Sequence, residues 1–255
     1  MQFHALRTHY PRFVFQEYHW QIEGEDLLIQ FHFQVGEHQF TPTLTLPAIP
    51  ANALSWLASD EAAQYLLNLG MIEALSYWKA TCSPVFEVRS GYLSADQLAW
   101  WHELYLNGLG EFWYHNQIEF TQPDLLKLIC TVDQPAESSL PLAAHSLTTS
   151  VSGDVLAAAV ANTTLTSNEL ENSHSQARTR FLVGVGGGKD SAVTLGLLDQ
   201  LNEQNGQRFA YGALLLTPQS PAADRVVTHS QATNVIRVRR TLDPHLLELN
   251  QQGYL

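Results

Sequence analysis

Cysteine is scarce: Cys82 and Cys130 are the only two in 255 residues, too far apart for a CxxC metal pair and too few for a disulfide framework. That excludes a disulfide-stapled secreted scaffold and fits a reducing compartment. Basic residues are few as well, with 13 Lys and Arg against 25 Asp and Glu and a formal net charge of -12. The deficit is uneven. Met1 to Ala177 holds 5 basic residues against 19 acidic ones, whereas Arg178 onward holds 8 against 6. An acidic body repels nucleic acid, and the slightly basic C-terminal segment is where an anionic ligand would sit. Long apolar runs are missing: no stretch approaches the roughly 18 residues of a membrane span, and the opening MQFHALRTHYPRF lacks a signal peptide's apolar core. These absences predict a cytoplasmic protein without membrane insertion. The histidines show neither HExxH nor paired-ligand spacing, which argues against a zinc site.

What is present suffices for two modest domains, the preferred reading, or one large one, with a substantial core. Within residues 12–46, FVFQEYHWQI, DLLIQFHFQV and HQFTPTLTL are β-type stretches, with turn signals at Glu23-Gly24-Glu25-Asp26 and Gly36-Glu37, which predicts an antiparallel meander. Ser59-Asp60 is placed to cap a helix running to about Ala80, with Ala62, Leu66, Leu69, Ile72 and Leu75 on its buried side. Pro84 ends that helix or redirects the chain. PVFEV reads as a short strand, and Ser94 as the cap of a second helix carrying Leu98, Trp101, Leu104 and Tyr105 and stopping at Asn107-Gly108. Residues 133–178 then turn to Ser, Thr, Ala and Asn without aromatics or a steady period, the composition of a linker or surface insertion, with a short helix expected over Asp154 to Ala161.

Strands and helices alternate after it: strand Phe181 to Val185, helix Ser191 to Glu203, strand Phe209 to Leu216, helix near Ala222 to Ser230, strand Asn234 to Val238. Such alternation predicts a parallel sheet covered by helices. The expected fold class is α/β: an N-terminal α+β domain over residues 1–132, the linker over 133–178, and a parallel-sheet domain over 179–255. With three strands where about five are usual, that last domain is expected to be incomplete at its C-terminus.

The stretch VGVGGGKDSAVTLGLL, Val183 to Leu198, sits at a strand, glycine turn and helix start. Backbone N–H groups at such a junction suit phosphate. A Walker A loop is excluded, because Val183 occupies its first glycine position and Asp190 follows Lys189. A dinucleotide fingerprint starting at Gly184 would need its last glycine at Lys189, and Asp190 would set a carboxylate beside the pyrophosphate. What remains resembles the PP-loop of ATP pyrophosphatases, commonly Ser-Gly-Gly-x-Asp-Ser, with Gly186 in place of the serine. The plainer reading is a glycine turn that packs a strand against a helix.

Two N-terminal stretches, ALSYWKATCSP (Ala74 to Pro84) and GLGEFWYHN (Gly108 to Asn116), stand ahead of GGGKDS in the chain. In this order the three resemble the UDP-N-acetyl-α-D-muramoyl-L-alanyl-L-glutamate epimerases of the MurL type, over most of the chain outside the linker. The resemblance implies epimerisation of the terminal L-glutamate of UDP-MurNAc-L-Ala-L-Glu to D-glutamate, with ATP and Mg²⁺, in peptidoglycan precursor synthesis. Chemistry explains the ATP. An α-proton beside a carboxylate is very weakly acidic, and adenylating that carboxylate removes its charge. The members of this family continue well past the last residue here, so a C-terminally shortened chain is expected. Two other functions stay open: another adenylating ATP pyrophosphatase that transfers an amide or sulfur, or a nucleotide-binding module without catalysis.

Under this resemblance Gly186, Gly187, Gly188, Lys189, Asp190 and Ser191 bind the nucleotide: the glycines by backbone N–H groups, Lys189 by its ammonium, Ser191 by its hydroxyl, Asp190 by orienting the loop or a magnesium-bound water. Asp190 reads equally well as a helix N-cap. Lys79 is a candidate for a substrate carboxylate or phosphate, and also an ordinary lysine at a helix C-terminus. Glu111, His115 and Asn116 are candidates for acid–base or polar roles, or the polar tips of an aromatic knot. Cys82 invites comparison with two-cysteine glutamate racemases, but Cys130, in the apolar LLKLIC, reads as core and leaves it without a partner.

Overall fold

Alternation along β1 (Arg12–Glu23) and β2 (Asp26–Val35) places Phe13 and Phe15 opposite Val35 and Phe33. All four are buried, as expected of a strand pair with a core beneath one face. The hairpin turns at Gly24, whose φ of +64° is a backbone that favours glycine. β3 (His38–Phe40) and β4 (Thr43–Leu46) both pair antiparallel with β2, completing the expected meander. On the other side of β1 lie β5 (Val85–Val88) and then β6 (Lys127–Cys130), each parallel to its neighbour. The computed structural model describes residues 3–50, 53–121, 124–134, 179–204, 206, 209–218 and 220–254. The helix expected over Asp154 to Ala161, and nearly all of the expected linker, lie outside the described residues.

β7 (Thr179–Gly184), β8 (Phe209–Thr217) and β9 (Asn234–Thr241) run parallel, as the alternation predicts. β9 then pairs antiparallel with β4, Leu44 facing Arg240. The result is one nine-stranded sheet, β6-β5-β1-β2-β4-β9-β8-β7, with β3 beside β2. Strands on either side of residues 133–178 thus share a sheet.

Eight helices are found among the described residues: α1 (Phe3–His9), α2 (Ala53–Leu57), α3 (Asp60–Trp78), α4 (Ala95–Gly108), α5 (Gly110–His115), α6 (Lys189–Gln204), α7 (Pro221–Thr228) and α8 (Pro244–Gln251). The two serine caps are where the sequence puts them. Ser59 Oγ accepts from Ala62 N at 3.2 Å, and Ser94 exchanges two bonds with Gln97 in a capping box. α3 packs so close to the sheet that a Cβ on Gly70 would lie 2.2 Å from the Phe15 ring. Its buried residues include Ala62, Leu66, Met71, Tyr77 and Trp78, but Ile72, expected inside, is 57% exposed. Leu104 of α4 is likewise exposed rather than buried. On α4 the fully buried positions are the aromatics Trp101 and Tyr105.

Arg240 belongs to the α3 face of the sheet, where Val238, Leu246 and Leu249 join the main core. α6 and α7 cover the opposite face of β7–β9 with a smaller cluster: Val185, Leu195, Tyr211, Ala213, Leu215, Ala223 and Val227. One irregularity matters for the outer face of the meander. The β1–β2 register shifts between Phe15 and Glu17, so that Glu17 faces His32 and Tyr18 faces Phe31. Gln16 is the extra residue, and beyond it the side chains of β1 exchange faces.

Candidate functional site

β7 delivers the chain to its carboxyl end beside β8, where Val185 N donates to Leu214 O at 2.8 Å. The loop Gly186–Gly188 follows, and α6 begins at Lys189. Gly187 has φ +86°, and a Cβ there would stand 2.5 Å from Ser220 Oγ and 2.6 Å from Ala223 N, so this position needs glycine for both conformation and space. Cβ atoms at Gly184, Gly186 and Gly188 would meet nothing within 4 Å. The loop is therefore closed below by the start of α7 and open above.

Two helix N-termini converge here. Ser220 caps α7, accepting from Ala223 N at 3.2 Å, and its hydroxyl reaches Gly186 O at 3.3 Å. Ser191 Oγ donates to Gly188 O at 3.0 Å. Lys189 and Asp190 are exposed, and Asp190 sits in the first turn of α6 rather than at its N-cap. An open glycine turn at the start of a helix, with an exposed ammonium beside it, fits the phosphates of a nucleotide. An exposed carboxylate in the same turn fits a water-rich Mg²⁺ that arrives with those phosphates. The sequence did not single out Ser220. Its signal was there, a serine ahead of Pro221 at a helix start, but its contact with the loop is tertiary.

The N-terminal candidates gather elsewhere. Lys79 is the C-cap of α3, and its ammonium lies 5.6 Å from the centre of the Phe112 ring on α5. Glu111 and His115 form an exposed pair on α5, 3.6 Å apart. Asn116 ends that helix, with Nδ2 donating to Phe112 O at 2.9 Å. Phe112 thus links Lys79 to α5, whereas the glycine loop stands at the carboxyl end of β7. Cys82 is buried, its thiol pushed up to about 12 by burial against the smaller opposing pull of Arg7 and Lys79. Such a thiol is a poor base. Cys130 bonds instead to Gly91 O, on a different loop. Grooves of about 560 Å³ along α4 and β6, near His102 and Lys127, and about 390 Å³ between α6 and α7, near Asp199 and Arg225, do not include the loop glycines.

Electrostatics tie the loop-bearing strands to α3. Glu73, buried on α3, receives the Arg240 guanidinium of β9, with Nε at 3.0 and 2.9 Å from the two carboxylate oxygens. Arg240 Nη2 also donates to Ser76 Oγ at 2.8 Å. On β5, beside β1, the Glu87 carboxyl is lowered from its usual value, chiefly by its hydrogen bond from Arg89 and also by Arg12, against the opposing effect of burial. No helix of the described residues is long and apolar enough to cross a membrane.

Residues 4–255 match the family described as MurL N-terminal domain. A curated relative, the UDP-N-acetyl-alpha-D-muramoyl-L-alanyl-L-glutamate epimerase of Xanthomonas oryzae pv. oryzae (strain MAFF 311018), is 26% identical over 215 residues, which cover 84% of this chain and 38% of the relative. The chain thus matches well under half of that protein's length. No solved structure matches.

Proposed function

The chain belongs to the MurL N-terminal domain family, and from that premise we propose that it serves the ATP- and Mg²⁺-dependent epimerisation of the terminal L-glutamate of UDP-MurNAc-L-Ala-L-Glu to D-glutamate, in peptidoglycan precursor synthesis. The observation that carries the reading is the open glycine loop between β7 and α6, in a chain whose curated relative bears an epimerase's name. On this reading residues 179–255 supply the ATP-binding part, of PP-loop type.

Bound ATP supplies activation: transfer of its adenylate to the glutamate carboxylate removes the charge that holds the α-proton in place. The chain's own groups position and neutralise. Backbone N–H groups at Gly186, Gly187 and Gly188 and at the start of α6 hold the phosphates, while Lys189 and Ser191 add an ammonium and a hydroxyl. Asp190 would orient the loop amides or offer its carboxylate to a Mg²⁺ that comes with the phosphates, which would neutralise their charge. Developing negative charge on departing pyrophosphate is what such preorganised donors stabilise. On the N-terminal side Lys79, beside Phe112 of α5, is the cation offered to an anionic group of the substrate, with Glu111 of that helix and Asn116 at its C-terminal end as the acid–base or polar candidates.

Calorimetric titration with ATP and with adenosine tests the loop. Lys189→Ala and Ser191→Ala should weaken ATP and spare adenosine; equal losses for both, or none, remove the phosphate assignment. Turnover is read separately in heavy water with substrate, ATP and Mg²⁺. Deuterium at the glutamate α-carbon, AMP and pyrophosphate, all dependent on ATP, support epimerisation. ATP cleavage without exchange, consuming a nitrogen or sulfur donor, supports an adenylating transferase in its place.

A further inference from the structure

Glu17, His19 and His32 take no part in the reading above, and local geometry assembles them. In β1, Phe13 and Phe15 are buried at odd positions before the bulge. Beyond Gln16 the even positions turn inward: Tyr18 and Trp20 pack against the core, and Tyr18 Oη donates to Ala63 O. Glu17 and His19, two apart on an extended strand, therefore share the outer face, and the bulge sets Glu17 directly opposite His32 of β2. Without the extra residue Glu17 would fall opposite Phe31 and point into the core.

Each of the three offers a ligand atom, and these atoms all lie within 4.8 Å of one another. His19 Nε2 is 3.2 Å from Glu17 Oε1, and the two imidazoles meet edge-on with centres 5.3 Å apart. Nε2 of His32 is buried with no hydrogen-bond partner, a desolvated nitrogen that nothing in the protein compensates. Two imidazoles and a carboxylate are the donor set of a divalent transition metal, and distinct from the all-oxygen surroundings that Mg²⁺ prefers. We propose that Glu17, His19 and His32 form a cross-strand binding site for such an ion, Zn²⁺ being the best match to the donors. Three protein ligands leave at least one coordination position to water or another ligand. The ion bridges β1 and β2 next to the bulge. The chain's histidine spacing could not reveal the site, because its third ligand comes from the neighbouring strand.

Zn²⁺ is titrated calorimetrically into the chain in a buffer that does not bind metal, with thermal melts in parallel. The expected result is saturable binding of about one equivalent with a rise in melting temperature that EDTA reverses. His19→Gln and His32→Gln should abolish both signals, and Glu17→Gln should weaken binding about tenfold or more. His19 and Glu17 are mostly exposed, so these variants keep the fold even if His32→Gln perturbs it. His115→Gln, which breaks the two-residue pair with Glu111, should leave binding unchanged. No saturable binding to the parent chain, or undiminished binding by the His19→Gln and Glu17→Gln variants, overturns the proposal.

Discussion

Replacing Arg240 by methionine removes a cation from a carboxylate that cannot reach bulk water. The Glu73 side chain is 5% exposed and Arg240 28%, and the guanidinium spends Nε and Nη2 on Glu73, with Nη2 shared with Ser76. Breaking a buried pair from one side costs about 3–5 kcal/mol, because the remaining charge stays desolvated. Arg240 is partly open to solvent, so water entering its place offsets some of that cost and brings it to about 2–3 kcal/mol. For a chain of this size each kcal/mol moves the melting midpoint by roughly 2–4 °C, which gives a fall on the order of 5–10 °C. The double variant Glu73→Met/Arg240→Met leaves no buried charge and should recover most of the loss. Urea denaturation of all four members of the cycle measures the coupling, expected at about 1.5–3 kcal/mol. An Arg240→Met chain melting within about 1 °C of the parent would falsify the claim that this pair fastens β9 to α3.

Gly187→Ala places a Cβ against the backbone nitrogen of Ala223, at a φ of +86°, and neither neighbour can move without displacing the α7 cap. A loss of about 1–3 kcal/mol is expected in chemical denaturation, accompanied by weaker ATP binding, whereas Gly186→Ala, with open space above it, should leave stability nearly unchanged. Stability should also fall as the medium is acidified below neutrality. Burial chiefly, with His245 and His9, pushes the His38 imidazole below its ordinary value against the opposing pull of Glu37. The unfolded chain then binds the proton more readily, so stability is fully present above the unfolded value of about 6.5 and is lost as pH falls from there through the folded one. His38 is hydrogen-bonded to Tyr10 and His245, joining β3 to α8. His32 is shifted in the same direction, by burial first. A His38→Asn variant should therefore show a shallower decline in urea midpoint between pH 7 and pH 5 than the parent; an identical slope refutes the assignment.

Local chemistry made much of the architecture readable. A serine that caps a helix needs only its own next turn, so Ser59 and Ser94 announced α3 and α4 correctly. Gly24 and Gly36 marked hairpin turns because positive φ is a property of single residues. The glycine loop could be placed between a strand and a helix for the same reason, and the alternation after it predicted β7, β8 and β9 in parallel. Less local features went unread. α1 and α8 are too short for a period to stand out, and β6 is an edge strand set by its neighbour β5 rather than by its four residues.

By itself the sequence determined which segments form helices and strands over the meander, α3, α4 and β7–β9, and where a glycine turn joins a strand to a helix, since capping, turns and side-chain alternation act over a few residues. Only the tertiary structure decided that β4 meets β9 and makes one sheet of both ends of the chain, that Ser220 closes the floor of the glycine loop, and that a bulge at Gln16 carries Glu17 across to His32. Each of these depends on pairing between residues far apart in sequence. Strand register and helix docking are settled by the burial of whole faces, which no short window of the chain contains.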